Sequence, residues 1–407
     1  MYRMKIMYFA FEGFDTQNGT NHLALSMMDN FLTSGADVYL VSSHSKGVSN
    51  DIPDLLENRP GFTYDIIKRR DVDKRSFIKR YLDGIKYAFD CKKRWIKHVD
   101  SIDVVILQST PTAVFSSILL KKYFKKSVVF NSFDIFPDGL YHNGAITNKL
   151  IYSFFHNLQK IVYRNSDVIV AISEDMKTTL INNGVLESKI EIVHNWYNDS
   201  AVEFVPVENN RFVKKYSIDV SKFIVQYAGN FGYTFDYKMV LDVAEILKRD
   251  KQIEFHMIGT GGFAKDFRNE AEGRKLQNIK FFPWQPLEII SDVYSACSVE
   301  LIPLTKGVIY NSFPSKGSLL MACGKCILVS VESDSSYYRE INENNAGICV
   351  SRNSPQNVAN AILRLKNDES LLKTIGGSAI LYGKLTYSSS VNISKLREII
   401  WKLVNNK

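Results

Sequence analysis

"FIVQYAGNFGYTFDYKMVLDVAEIL", residues 223–247, is the stretch whose reading decides the fold. A run of β-branched and aromatic residues ends on Gly229 and Asn230, Gly232 follows, and the chain then leaves as a helix. A strand, a glycine-bearing turn and a helix make the opening unit of a parallel α/β sheet. Glycine lets the backbone approach a phosphate, and the first N–H groups of the following helix are free to meet an anion. The turn matches neither the spaced glycines of a dinucleotide fingerprint nor a P-loop. An ordinary tight turn therefore stays open beside an anion site.

Outward from there, the same unit opens the chain: "FEGFDTQNGTNHLALSMM" (11–28) carries Gly13 and Gly19 before its helix. Strands are expected at 5–11, 37–43, 103–109, 127–133, 167–173 and 190–195 in the first half. In the second they are expected at 223–230, 253–259, 279–284, 299–304 and 326–331. Amphipathic stretches separate them, which is the signature of parallel strands with crossover helices. The fold class is α/β, with two doubly wound Rossmann-like sheets. Open sheets of this kind bind ligands beyond the carboxyl ends of their strands, so a cleft between two domains is the expected site. Residues 198–219 are polar and without a clear period, and read as a linker. The domains are then 1–198 and 199–389.

The 407 residues are too many for one compact core. Hydrophobic content of 45 % and charged content of 23 % are those of an ordinary globular protein. No stretch approaches eighteen apolar residues, which argues against a membrane span. The apolar start at residues 5–11 is interrupted by Glu12 and reads as a first strand, not a signal peptide. Five scattered cysteines point to a reducing, cytoplasmic compartment. The net charge of +8 is carried by one segment, since 68–97 holds twelve basic residues against four acidic ones. From Phe77 to Ile96 the residues Ile78, Leu82, Ile85, Phe89 and Ile96 repeat at roughly helical spacing. This predicts a helix whose apolar stripe faces the core and whose basic face is exposed. Such a face suits an anionic membrane surface; no nucleic-acid partner is expected.

"NSFPSKGSLLMACGK" (311–325) places a lysine at a helix start. Ser315 can cap a helix running to about Cys323, with Lys316 in its first turn. A cation is unfavourable at that end of a helix, and a bound phosphate would remove the conflict. A solvated lysine there costs only a few tenths of a kcal/mol, so both readings stay open on local grounds.

Five segments in register resemble the GT-B glycosyltransferases of family 4, especially those of bacterial surface polysaccharide assembly. They are "DIFPDG" (134–139), "SDVIVAISEDMKTTLINNGVLESKIEIVHNW" (166–196), "YAGNFG" (227–232), "FHMIGTGG" (255–262) and "PSKGSLLMACGK" (314–325). The resemblance implies a hexosyl-type transfer with retention from a nucleotide sugar to a lipid-linked or saccharide acceptor, with no metal or other cofactor. It places the donor mainly on the second domain and the acceptor mainly on the first, in the cytoplasm or peripherally on the inner face of the cell membrane. By this match Gly229, Asn230, Ser315 and Lys316 surround the diphosphate, with Gly19 adding N–H groups from the other domain. Gly261 and Trp284 lie near the base, and Asp134 and Asn311 face the reacting sugar. The family's two glutamates, eight positions apart, fall on Asn311 and Leu319; a leucine cannot accept hydrogen bonds from a ribose. Two other readings stay open: a sugar-nucleotide epimerase on the same two-domain plan and, suggested by Leu319, a non-catalytic partner subunit of a transferase complex.

Two motifs are read as coincidence. "CGKC" (323–326) closes a helix and opens a strand, whereas a redox pair belongs at a helix start. "DVD" (71–73) has the form of a metal motif but sits in "KRRDVDKRS", away from any strand end. The terminal stretch 390–405, with Leu396, Ile399, Ile400 and Leu403 in step, is expected to form a helix that packs back on the first domain.

Overall fold

The computed structural model describes residues 3–11, 14, 21–45, 52–69, 77–199 and 202–405. The chain forms two compact units. Unit 1 comprises Met1–Tyr141, Ile146–His194 and Asn392–Lys407; unit 2 comprises His142–Ala145 and Asn195–Val391.

Among the described residues unit 1 holds seven parallel strands: β1 (Lys5–Phe9), β2 (Asp37–Ser45), β3 (Phe62–Arg69), β4 (Val104–Gln108), β5 (Ser127–Ser132), β6 (Val168–Ala171) and β7 (Ile190–Ile192). They lie in the order β3-β2-β1-β4-β5-β6-β7. Among its described residues unit 2 holds six: β8 (Phe223–Asn230), β9 (Ile253–Thr260), β10 (Ile279–Phe282), β11 (Val299–Pro303), β12 (Cys326–Val331) and β13 (Ile348–Ser351), in the order β10-β9-β8-β11-β12-β13. The central strands β5, β11 and β12 are buried along their whole length, as strands covered on both faces must be. In each sheet the order reverses beside the first strand, between β1 and β4 and between β8 and β11.

Three expectations need correction. Strands β3 and β13 are additions at sheet edges, where one side meets water and the apolar run is diluted. The linker reading of 198–219 fails. Within it Arg211–Tyr216 is a helix capped by Asn210, whose Oδ1 accepts from the Val213 N–H at 2.9 Å. Phe212 and Tyr216 pack on Phe282 at ring distances of 5.5 and 5.2 Å, so the stretch belongs to unit 2, which begins at Asn195. The helix Phe77–Trp95 forms, but it turns a different face inward. Tyr87, Ala88, Cys91 and Trp95 are buried, while Leu82 and Phe89 are more than half exposed. The core side starts at Gly84, where an added Cβ would lie 2.4 Å from the Thr112 side chain, and that close approach fixes the helix's rotation. The outward face therefore alternates Lys79, Leu82, Lys86, Phe89 and Lys93. "DVD" lies outside the described residues.

The helix Ser389–Asn405 joins unit 1 from Asn392 onward. It buries Ile393, Leu396 and Ile400. Asn392 Oδ1 accepts from the His194 N–H at 2.9 Å, and Arg397 donates to Ser34 Oγ at 2.6 Å. "CGKC" straddles a helix end and the start of β12, and both thiols are buried and pushed up to about 12 by that burial.

Candidate functional site

At the reversal in unit 2 the pairing of β8 with β11 covers only Val225 with Val299 and Gln226 with Glu300. Beyond that the two strands part, opening a crevice at their carboxyl ends, where sheets of this type hold ligands. The glycine turn after β8 is held from beneath by its own aromatics. Tyr227, Phe231 and Phe235 are buried at four-residue spacing, with Tyr227 stacked on Phe235 at 4.1 Å and Phe231 edge-on to Phe267 at 5.7 Å.

Glycines line the neighbouring strand ends because nothing larger fits. A Cβ on Gly259 would lie 1.9 Å from the Gly229 carbonyl oxygen. One on Gly261, at φ +154°, would lie 2.3 Å from Asn230 Oδ1 and 2.6 Å from the Phe231 carbonyl oxygen. At Gly229 a Cβ would lie 2.4 Å from Lys316 Nζ. The fold thus brings Gly229, Asn230, Gly261 and Lys316 together, although they come from three separate segments.

Lys316 points inward. Its Nζ is buried, sits 3.5 Å from the Tyr227 ring centroid, and has no hydrogen-bond partner among the described residues. Glu300 is fully buried; its Oε1 accepts from the Ala228 N–H at 2.8 Å and its Oε2 from Gln226 Nε2 at 3.1 Å. Burial pulls the Lys316 ammonium down to about 8, against the attraction of Glu300. Burial likewise pushes the Glu300 carboxyl up to about 7, against Lys316 and its two N–H donors. Near neutral pH the pair therefore holds an ammonium with one of its sides unsatisfied, and such a group favours an incoming anion.

The helix after Ser315 is Lys316–Ala322, and it differs from expectation at its start. Ser315 is exposed, with helical backbone angles of −55° and −22°, and its side chain makes no capping bond. Its carbonyl oxygen instead accepts from Ser318 Oγ at 2.7 Å. Leu319 is half-buried on that helix. Asn311 is buried, donates to the Gly307 carbonyl at 2.8 Å, and leaves Oδ1 buried and unmatched among the described residues. Glu332, at the end of β12, accepts from the Gly307 N–H at 2.7 Å and leaves Oε2 in the same condition. Trp284 stands exposed just past β10, while its neighbour Gln285 is buried and donates to Tyr216 Oη at 2.9 Å.

In unit 1, Asp134 is exposed beyond the end of β5. Asp138 is its buried counterpart in the same segment. It accepts from Tyr152 Oη at 3.0 Å and lies 3.6 Å from His156 Nδ1, which ties it to the helix Lys149–Asn165. Gly19 lies outside the described residues. Glu300 and Glu332 were not legible as site residues; the one signal was a lone carboxylate inside the apolar run "VELIP".

Two open, doubly wound sheets, one with a cation set into a glycine-lined strand edge, define a two-unit α/β class. The Glycosyltransferase Family 4 model matches residues 17–201, and the Glycosyl transferases group 1 model matches 208–380. The chain belongs to this family of GT-B glycosyltransferases. It is 25 % identical over 170 residues to the putative colanic acid biosynthesis glycosyl transferase WcaI of Escherichia coli, covering 42 % of each chain. It is 23 % identical over 267 residues to an uncharacterised glycosyltransferase of Methanocaldococcus jannaschii, covering 63 % of this chain and 64 % of that one. The match thus spans under half the length of the first relative and under two thirds of the second. Among solved structures, HepE of Anabaena in complex with UDP superposes with a TM-score of 0.75 at 13 % identity, over 98 % of this chain and all of that one. A sucrose-phosphate synthase of Thermosynechococcus elongatus gives 0.77 at 14 % identity over the full length of both.

Proposed function

We propose that the protein transfers a sugar, with retention and without a metal, from a nucleoside diphosphate sugar to a lipid-linked or saccharide acceptor in surface polysaccharide assembly. The observation that carries this reading is the buried Lys316 ammonium against Gly229 at the edge of the unit 2 sheet. As the glycosidic bond breaks, negative charge builds on the leaving diphosphate, and a fixed cation there lowers the barrier. The backbone at Gly229 and the Asn230 side chain take the remaining diphosphate oxygens. The unmatched acceptors Asn311 Oδ1 and Glu332 Oε2 receive hydroxyls of the sugar. Gly261 and Trp284 flank the base, and Ser315 borders the phosphates. The acceptor binds unit 1, where Asp134 is exposed beyond the end of β5.

The WcaI relative and the UDP and UDP-glucose complexes of HepE support the substrate class. For the membrane, support comes from the exposed Lys79, Leu82, Lys86, Phe89 and Lys93 face and from Leu150, Ile151 and Phe154 on the outside of a second helix. Among the described residues no helix is long and apolar enough to cross a membrane.

The test is a thermal-shift screen of nucleoside diphosphates and their sugars, followed by product analysis on the responding donor. Lys316→Ala is expected to lower turnover on the order of a hundredfold; wild-type turnover in that variant refutes the assignment. Because acids are replaced at Asn311 and Leu319, a non-catalytic subunit is the second reading, and no response to any nucleotide would favour it.

A further inference from the structure

We propose that Glu300 keeps Lys316 charged and seated at Gly229 while the donor is absent, and that the incoming diphosphate displaces it as the ammonium's anion. The inference rests on the donor-site reading above and adds a residue that does not touch the donor. Glu300 sits where β8 and β11 part, and its carboxylate gives the Ala228 N–H the acceptor that the β8–β11 ladder no longer supplies. That bond and the one from Gln226 fix the carboxylate in place. Gln226 is itself anchored, since its Nε2 also reaches the Val293 carbonyl at 3.0 Å.

The titratable groups facing Glu300 are Lys316, Tyr227 of β8, Tyr294 of the helix Ile290–Ser295, and Cys297. Burial raises the two phenols and the thiol, so all three stay neutral at physiological pH. Lys325, the nearby cation, is engaged with the Cys297 carbonyl at 2.8 Å. Glu300 holds the N–H of Ala228, one residue before the Gly229 against which the Lys316 ammonium sits, and from there its carboxylate attracts that ammonium. Without it, a buried ammonium lacking any hydrogen-bond acceptor sheds its proton. With it, the lysine is charged but only half satisfied, so a diphosphate carrying two or more charges outcompetes the single carboxylate. Glu300 is a positioning residue that acts through Lys316.

Two measurements on the full chain test this. The first is an NMR pH titration of [ε-13C]lysine-labelled protein without ligand, the Lys316 signal being the one absent from Lys316→Met. Glu300→Gln is expected to move the Lys316 midpoint to a proton concentration about tenfold higher or more, and Glu300→Asp to restore part of that change. An unchanged midpoint overturns the proposal. Should Glu300→Gln fail to fold, Glu300→Asp decides alone, because a carboxylate withdrawn by one methylene must also lower the midpoint.

The second is calorimetry with inorganic pyrophosphate, which avoids any choice of base. Against wild type, Glu300→Gln is expected to bind at least as tightly at pH 6, where the competing anion is gone and Lys316 is still charged. At pH 8.5 it is expected to bind about tenfold more weakly, so the two pH profiles cross. Parallel weakening at every pH would reveal a merely structural role and overturn the proposal. If pyrophosphate binds neither protein, the donor-site reading fails, and the ligand-free titration still decides whether Glu300 controls Lys316.

Discussion

Replacing Lys316 with methionine is expected to make the protein more stable while removing its proposed chemistry. The ammonium falls from an ordinary value of 10.5 to about 8 on folding. At 1.36 kcal/mol per tenfold, keeping it charged at pH 7 costs about 3 kcal/mol. Its contact with the Tyr227 ring at 3.5 Å returns about 2 kcal/mol at a desolvated site. Methionine keeps an unbranched stem in the same place and gains about 1 kcal/mol from sulfur against the ring. Glu300 changes little in this comparison. Its carboxyl, already raised to about 7, becomes fully protonated in the variant, and the added cost is a few tenths of a kcal/mol. The sum favours the variant by about 2 kcal/mol, or roughly 4–8 °C for a unit of this size. Scanning calorimetry of both proteins at pH 7 checks it. A variant that melts below wild type would show that Glu300 and Tyr227 together more than offset the desolvation of Lys316, and the account of a strained, ligand-seeking cation would fall.

Four further outcomes follow from named contacts. Gly229→Ala should leave the fold intact and weaken diphosphate binding, because the clash is with the mobile end of Lys316; Gly259→Ala, whose clash is with backbone, should destabilise unit 2 in the same thermal melts. Leu319→Glu, at a half-buried position, should tighten nucleotide binding by calorimetry; unchanged affinity and stability would show that residue 319 does not face the nucleotide. Asp292→Asn should cost about 2 kcal/mol in urea titrations at pH 7. Burial pushes that carboxyl up, but the Arg211 side chain and N–H outweigh it and hold it below its ordinary 3.8, so the stability it contributes is present above 3.8 and is lost as the pH falls further. Sedimentation should find the protein on anionic vesicles and not neutral ones, at about 1 kcal/mol per basic residue and with release by salt; indifference to lipid charge would leave the basic helix a purely structural element.

The two-sheet plan was readable because central parallel strands are continuous apolar runs, and "CILVSV" and "SVVFNS" announce themselves. Edge strands do not: "FTYDIIKR" mixes charges with its β-branched residues because half of it meets water. The rotation of the basic helix was misread for a related reason. Leu82 and Phe89 keep the expected period, but Gly84 and Ala88 let the neighbouring helix come close on another side, and small residues leave little trace in a hydrophobic pattern. At the site, Gly229, Asn230, Gly261 and Lys316 were visible as turn and helix-start residues. Glu300 was not, since what makes it matter is a strand register, Gln226 beside Glu300, that no local spacing encodes.

Unit 1 is split along the chain, with nearly all of unit 2 between its earlier segments and its last helix. A ribosome therefore delivers all seven of its described strands well before the closing helix Ser389–Asn405 exists. Until then the surfaces that Ile393, Leu396 and Ile400 will cover, and the His194 N–H that Asn392 will accept, stand open on the nascent chain. Unit 2, whose segment from Asn195 to Val391 is synthesised without interruption, can finish folding first even though it starts later. Order of synthesis and order of completion are thereby inverted, and a stop codon near residue 390 would spare the proposed donor-binding unit while leaving the other one permanently unfinished.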